Sequence, residues 1–435
     1  MARLTSAPTT ITVVTGSPDW APGPGQFATV SLANPSSADP DPTNTAVYRG
    51  DGTGFAAPWN VWCGGAFAPA LGDYGSLLCF GGGNRSYDGN EIVAYNVASR
   101  TWSLLNQPAP YSSVTSGDSN SVNVNVDPNG SWPDGTPFPN HTYFGIEFLP
   151  PEAGGGTLGS FVFMGHPQNN VHITTNNLWR FDIALRAWSR WLMPYNFGEY
   201  QSNGLAYDTK RKGLWLVAPN RDSSYYSLCL WFVDVQARTV TKVGLDSVGG
   251  NMGPEFYYSA PCYLESRDCI VLPKGAGNPT LDIVAIDLNG LVVSAGQVVP
   301  TFTIAQSGAK CPSLWCYPNG GAPSGLKYLN YASGDRLEYC SRDGNMYALN
   351  MYAGSACDLY RLSPPSGALT GTWTWTRETL LPKSGESLAL KATTISTVAD
   401  KLLMGRMRYV PVLKSFVISD NSTLPAQLLR PAAFV

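Results

Sequence analysis

One pattern recurs along the chain and restricts its fold more than any single residue does. A short strand ends in or near an aromatic, a tight turn follows, and the chain resumes as an apolar strand. The copies are "GAFAPALGDYGSLLCFGGG" from Gly65, "YFGIEFLPPEAGGGTLGSFVFMGH" within residues 142 to 192, "GLAYDTKRKGLWLVAP" from Gly204, "APCYLESRDCIVLPKG" from Ala260, "GLKYLNYASGDRLEYCSRDG" from Gly325 and "RMRYVPVLKSFVISDN" from Arg406. With Ala68, Phe148, Tyr207, Tyr263, Tyr328 and Tyr409 as equivalent positions, the spacings are 80, 59, 56, 65 and 81 residues. A unit of this size cannot cover its own hydrophobic face, so repetition implies stacked neighbours sharing a continuous core.

The two best copies run on into a third and fourth strand. After "SLLCF" and the turn-forming "GGGNRSYDGN", "EIVAYNV" alternates apolar and polar residues and "RTWSLL" follows a tight turn; "NNLWRFDIALRAWSRWL" does the same in the second copy. Six four-stranded units are implied. Composition agrees, since 45 Gly, 34 Pro and 12% aromatic residues against 14% charged residues favour short strands joined by turns. After the last strand pair only "AQLLRPAAFV" remains, enough for one further strand. The β-branched "TTITVVTG" near the amino terminus has no unit of its own, so strand 9 to 15 is expected to complete the last unit and protect the sheet edges.

Gly81-Gly82 after an apolar strand, followed by "IVAYNVASRTW" ending at Trp102, resembles a kelch repeat; the second copy keeps "LWRFDIALRAW" up to Trp188, with Gly165-His166 in place of the glycine pair. Copies three to six lose the glycine pair and mostly the Trp, although Trp373 and Trp375 stand near its place in the fifth. The resemblance implies an all-β, six-bladed kelch-like β-propeller of four-stranded antiparallel blades. It fills residues 1 to 435 as one domain, with blades beginning near 65, 142, 204, 260, 325 and 406. Seven blades would need a further copy within 1 to 64 or 299 to 325.

In such a blade the turn between strands one and two lies on one face, and the other loops and connections lie on the opposite face. The first set is short ("DTKRKG", "LESRDC", "PVLKS"), whereas the connections at 20 to 64, 106 to 141, 245 to 259, 299 to 324 and 381 to 405, and the inner loops 165 to 177 and 341 to 357, are long. Long loops on a rigid scaffold are where binding residues concentrate. These carry Trp20, Trp59, Trp62, Tyr111, Trp132, His141, Tyr143, Tyr200, Tyr257, Tyr258, Trp315, Tyr317 and Tyr352 among Asn, Ser and Gly. Rings with adaptable amides suit stacking and hydrogen bonding to a carbohydrate or protein surface. The expected ligand-binding residues are Trp59, Trp62, His141, Tyr143, Tyr200, Tyr257, Tyr258, Trp315 and Tyr317.

Other chemistry finds less support. A formal charge of -3 with no basic run gives nothing for a phosphate backbone to bind, so nucleic acid is not expected as a partner. No apolar run reaches the roughly 18 to 20 residues of a membrane helix, and the amino terminus lacks the apolar core of a signal peptide. Nine cysteines show no CxxC; they read as buried small hydrophobes, with Cys311 and Cys316 close enough in sequence for a local disulfide. His141, His166 and His172 all fall in the second unit and read as ordinary loop histidines, so no metal and no cofactor is expected. The kelch-like copper radical oxidases need a Tyr-His pair and a distant further His, and neither is present. Sialidase-type turns are approached only by "SRDGNMY" at 341 to 347, with its Gly one residue early.

Paired carboxylates for glycoside cleavage are conceivable among Asp88, Glu91, Glu147, Glu199 and Glu255, with Glu199 and Glu255 each beside tyrosines. The expectation is therefore a non-enzymatic recognition or structural propeller that binds a host-surface glycan or a neighbouring virion protein. The leaderless, low-charge chain resembles propellers of bacteriophage tail and receptor-binding components, which places it in the virion, with the cytoplasm as the alternative. A glycan-active hydrolase or lyase using Glu199 or Glu255 is the alternative function.

Overall fold

A computed structural model describes residues 17–42, 55, 63–81, 89–109, 131–132, 134–137, 142–164, 176–195, 197, 204–220, 227–245, 260–273, 283–311, 337–350, 357–386, 403, 405–420 and 423–435. Among these the protein is built from strands and a few single turns of 3-10 helix. A first strand, β1 (Gln26–Thr29), precedes the repeats. Four sheets follow in chain order as antiparallel meanders. They are β2 to β5 (Gly64–Ala68, Ser76–Phe80, Val93–Asn96, Thr101–Leu104) and β6 to β9 (Ile146–Leu149, Ser160–Phe163, Asn177–Asp182, Ala187–Leu192). Then come β10 to β13 (Gly204–Asp208, Gly213–Asn220, Ser227–Asp234, Thr239–Leu245), and β14, β15 and β16 (Cys262–Leu264, Cys269–Pro273, Ile283–Asp287) completed by β18 (Thr301–Thr303). Between β16 and β18 the short β17 (Val298–Val299) leaves its own sheet and adds a parallel edge to β13, pairing Gly244 with Val298.

The remaining strands are β19 (Ala305–Gly308), β20 to β23 (Glu338–Cys340, Asn345–Asn350, Cys357–Ser363, Thr372–Pro382) and β24 to β26 (Met407–Val410, Ser415–Ile418, Gln427–Arg430). They form one nine-stranded sheet, in the order β20-β21-β22-β23-β1-β26-β25-β24 with β19 added to β23. This changes the expected count, since among the described residues the hydrogen-bonded sheets number five and not six or seven. The cause is β1, which is bonded on both edges. It runs antiparallel to β26 from Gln26↔Arg430 to Thr29↔Gln427, and parallel to β23 at Gln26↔Leu381 and Phe27↔Pro382. One strand thus welds two antiparallel groups into a single sheet and leaves neither outer edge open at the junction. It also takes the place expected of residues 9 to 15, which lie outside the described residues.

The innermost strands β2, β6, β10, β14, β20 and β24 touch one another in cyclic order, so the assembly closes as a propeller-like ring. Alternation along the strands supplies the glue. Leu77 and Cys79 face the cluster shared with Val410, Val417 and Leu428, while Leu78 and Phe80 face the cluster shared with Phe148 and Phe161. Four more clusters fill the gaps between successive strand groups in the same way, for example Val162 and Met164 against Leu214 and Leu216, and Trp215 against Ile270 and Leu272. The inner strands of each sheet are therefore buried on both faces, which is why they read as nearly continuous apolar runs, whereas the outer β5 and β9 keep exposed positions.

The expected kelch-type tryptophans are structural. Trp102 is buried with its ring 5.0 Å from Tyr95, and Trp188 packs edge-on to Phe181 at 5.1 Å. Gly81 adopts φ 152°, and Gly82 lies outside the described residues. The segment near 325, expected to begin the fifth unit, lies outside the described residues; the first described strand there is β20 at Glu338, and "SRDG" (341 to 344) is its hairpin turn to β21 and not part of a long inner loop.

Candidate functional site

The strand directions divide the ring into two faces. Most first strands run toward four-residue hairpins, such as 209 to 212, 265 to 268 and 341 to 344, with 150 to 159 longer. The turns into β5, β9 and β13 on the same face hold four residues each (97 to 100, 183 to 186, 235 to 238), while those into β18 and β23 span 288 to 300 and 364 to 371. The opposite ends of the strands border the segments 105 to 145, 193 to 203, 246 to 261, 309 to 337 and 383 to 406. That asymmetry matches the sequence expectation of one short-turn face and one long-loop face.

The expected site falls largely beyond what the structure describes. Trp59, Trp62, His141, Tyr200, Tyr257, Tyr258, Trp315 and Tyr317 lie outside the described residues, as do Glu199, Glu255, Asp88, His166 and His172. Tyr143 is described and is not a presented ring: it is 3% exposed, with φ 41° and its carbonyl turned against Gly64. Trp132 is likewise buried. Trp20 belongs to the short-turn side, where its ring meets Tyr74 edge-on at 6.2 Å and the Arg100 guanidinium lies over it at 5.5 Å. The physical reason is common to these three: an aromatic at the root of a loop gains more from burial against the ring than from display.

The centre of the ring holds a charged group that the sequence reading passed over. Arg408 on β24 points inward, and its Nη1 stands 3.3 Å from Glu338 Oε2 on β20 and 3.6 Å from Glu147 Oε1 on β6. Its Nε donates to the carbonyl oxygens of Gly405 at 2.9 Å and Gly65 at 3.1 Å. Each carboxylate also accepts a peptide N–H, Glu147 from Phe148 at 3.0 Å and Glu338 from Tyr409 at 3.1 Å. Just before β24, the buried Arg406 donates to Cys63 O at 2.7 Å, Ser419 O at 2.9 Å and Asp420 O at 3.0 Å. These side chains cross from β24 to β2 only because β2 begins with two glycines. A Cβ on Gly65 would sit 3.1 Å from Arg406 Cγ and from Gly405 O.

Of the candidate carboxylates that are described, Glu147 enters this group and Glu91 is buried; Glu338 was not a candidate. A guanidinium shared by two carboxylates, with peptide N–H groups on both, neutralises buried charge and fixes three inner strands. Two carboxylates bonded in this way are poorly placed to trade protons with a substrate. The signal available in sequence was "RMRYV", two arginines at alternate positions of a strand whose neighbours are apolar, which places both on one side of it.

A second network lies between the third and fourth sheets on the short-turn face. Arg211 bridges Asp208 at 2.8 Å and Asp268 at 2.7 Å and donates to Leu288 O at 2.6 Å, while Trp215 Nε1 donates to Asp208 at 2.8 Å and Tyr263 OH to Asp268 at 3.0 Å. Burial alone would raise the Asp268 carboxyl, but hydrogen bonds from Arg211, Lys210 and Tyr263 outweigh it and hold it below the ordinary value. Among the described residues no group of three His, Cys, Asp or Glu is placed to hold a metal ion. No described helix is long and apolar enough to cross a membrane.

No protein-family profile matches the chain, and no curated protein matches it. Among the solved structures that match in fold is one described provisionally as a gluconolactonase, with 9% identity, coverage of 90% of this chain and 96% of that one, and a TM-score of 0.39. A likeness that remote carries no statement about activity.

Proposed function

We propose that the protein is a non-enzymatic recognition propeller that binds a host-surface glycan or a neighbouring virion protein through its long-loop face. The observation that carries this reading is the asymmetry of the ring. Mostly short hairpins close one face, and the aromatic- and Asn-rich segments that join the units leave from the other, on a scaffold whose inner strands are buried on both sides. The proposed contacts are Trp59, Trp62, His141, Tyr200, Tyr257, Tyr258, Trp315 and Tyr317. The described carboxylates near the axis support binding over catalysis, because Glu147 and Glu338 are already committed to Arg408. A virion tail is the proposed setting, for which the low charge and the absence of a basic run are suitable.

The finer architecture is proposed in the same terms: six packing units, two of them welded by β1, as the six inner strands in cyclic order support. The test of function is incubation with host-surface polysaccharide, scoring retention and product together. Retention without new reducing ends or unsaturated sugars, weakened at least tenfold by Trp59→Ala or Trp315→Ala, is the expected result. Release of oligosaccharide that is abolished by Glu199→Gln or Glu255→Gln would replace this reading with a glycan-active enzyme.

A further inference from the structure

Most outer sheet edges of the ring are occupied. β1 and β19 both pair with β23, β17 pairs with β13, and β5 lies against the 3-10 turn Pro35–Ala38. Among the described residues two outer strands lack such a cover, β18 and β9. β18 holds only three residues, whereas β9 holds six and pairs with β8 alone. An edge of that length presents a row of main-chain donors and acceptors to any strand that approaches.

The composition of β9 is not that of a protected edge. "AWSRWL" carries one charge and no proline, and four of its six residues are exposed. Leu192 at one end, 53% exposed, and Leu185 in the turn before the other, 75% exposed, are large apolar side chains left in solvent. Met193 N donates to Asn176 O at 2.8 Å, so the alternation of an antiparallel ladder directs the main-chain groups of Ala187, Ser189 and Trp191 toward β8. Those of Trp188, Arg190 and Leu192 point outward.

We propose that β9 pairs antiparallel with β9 of a second copy, joining two rings edge to edge through one continuous sheet. Such a two-fold contact is isologous, and the outward groups allow it to centre on Ser189 or on Arg190. The second register sets Arg190 directly against Arg190, which like charge disfavours. The first sets Arg190 of each copy against Trp188 of the other, a cation beside an indole, and Ala187 against Trp191, a small side chain beside a large one. Arg190 already lies in this manner over Trp179, its partner on β8, at 5.6 Å. Ser189 therefore stands on the axis, and each Leu192 comes beside the other copy's turn at 183 to 186, which covers both exposed leucines. Charge and side-chain size are matched by the strand itself, so a second copy is the occupant that fits. Six residues a side bury less than the roughly 1,600 Å² of a standard interface, which makes the dimer weak and reversible.

The whole, unmodified chain is expected to shift reversibly from monomer to dimer between about 1 and about 200 μM in sedimentation equilibrium. On the axis, Ser189 faces its copy as a non-bonded pair with Cα atoms about 4.5 Å apart, within cystine range, whereas the two Arg190 Cα atoms are more than about 7 Å apart. Ser189→Cys is expected to form a disulfide-linked dimer under mild oxidation at least about fivefold faster than Arg190→Cys. The eight described cysteines are free and buried, and the unmodified chain supplies the background. Leu192→Pro removes an outward N–H without taking a bond from the β8 ladder, and is expected to weaken dimerisation at least about tenfold. A chain that stays monomeric over the whole range, a dimer that Leu192→Pro leaves unchanged, or faster linkage through Arg190→Cys than through Ser189→Cys would overturn the proposal. Sedimentation of the parent needs no substitution, so it decides the matter even where a variant fails to fold.

Discussion

Gly64 lies so close to Tyr143 that a Cβ on it would stand 2.3 Å from the Tyr143 carbonyl oxygen and 2.8 Å from Ile146 Cδ1. The obstacle is backbone, which cannot rotate away as a side chain could, and it marks where the first and second inner strands approach most tightly. Gly64→Ala is expected to destabilise the ring by about 3 kcal/mol, at the upper end of overpacking costs. Gly367→Ala, where nothing lies within 4 Å, is expected to stay within about 0.5 kcal/mol of the parent. Urea unfolding midpoints of the two variants would check the contrast.

Asp268 is the hinge of the network between the third and fourth sheets, and its contribution depends on pH. Its folded pKa is depressed by hydrogen bonds from Arg211, Lys210 and Tyr263 that overcome burial. Stability from it is thus present above the unfolded value of about 3.9 and is lost as pH falls through the lower folded value. Asp268→Asn keeps the left-handed backbone, observed at φ 46°, which Asn tolerates. At pH 7 it is expected to cost about 3 kcal/mol, because Arg211 is left with only Asp208 as counter-charge. The gap between parent and variant should narrow below about pH 4; a gap that is constant from pH 7 to 3 would remove the carboxylate from the explanation.

How much of this was legible in the sequence depends on what carried each signal. The recurring unit was visible because its markers are local: an aromatic one residue before the end of the first strand, then a turn. Phe67, Phe148, Tyr207, Tyr263, Tyr339 and Tyr409 occupy that place ahead of six described hairpin turns. The fifth unit was expected at "GLKYLNY", which lies outside the described residues, while the described "LEYC" carries the same aromatic pattern. The distinguishing mark is the residue entering the second strand, which has positive φ at Gly75, Gly159, Lys212, Asp268, Gly344 and Lys414, and Gly344 of "SRDG" supplies it. The merging of two strand groups by β1 was not legible, since parallel pairing with β23 depends on contacts about 355 residues apart in sequence. The axial arginines were hidden for a similar reason. A strand bearing two charges reads as an exposed edge until the ring places carboxylates from two other strands beside it.

Arg408 joins Glu147 and Glu338 at the axis, and removing it is expected to cost more than removing either acid. Arg408→Met would leave two buried carboxylates facing each other without their cation, a loss of about 3–5 kcal/mol. Glu147→Gln leaves Arg408 with Glu338 and should cost about 1–2 kcal/mol. Adding Glu147→Gln and Glu338→Gln to Arg408→Met should recover part of the loss, since the uncompensated charge is gone. Denaturant unfolding of the single and triple variants would reveal this non-additivity; simple additivity would show that the three groups do not act as one.

The short-turn face offers a gain in stability as well as losses. Arg100, Arg186 and Arg238 end equivalent four-residue turns in "YNVASRT", "FDIALRA" and "VDVQART", each at a positive φ of 62°, 51° and 54°. The turns are held by the Asn or Asp four residues earlier, whose side chain accepts from Ser99 N, from Ala184 N and Leu185 N, or from Ala237 N. A non-glycine residue in this region costs about 1–2 kcal/mol, while glycine adds back part of that in unfolded-chain entropy. Arg238 is exposed, and Arg238→Gly is expected to stabilise by about 0.5–1 kcal/mol. Arg100 differs, because its Nε donates to Val30 O at 2.8 Å and its guanidinium covers Trp20. Losing a hydrogen bond and a cation–π contact, each worth about 1 kcal/mol, should cancel the backbone gain, so Arg100→Gly is expected to be neutral or destabilising. Thermal melts of the two glycine variants should move in opposite directions, or Arg238→Gly upward with Arg100→Gly unmoved. Equal upward shifts would mean that the Arg100 contacts add nothing to the fold.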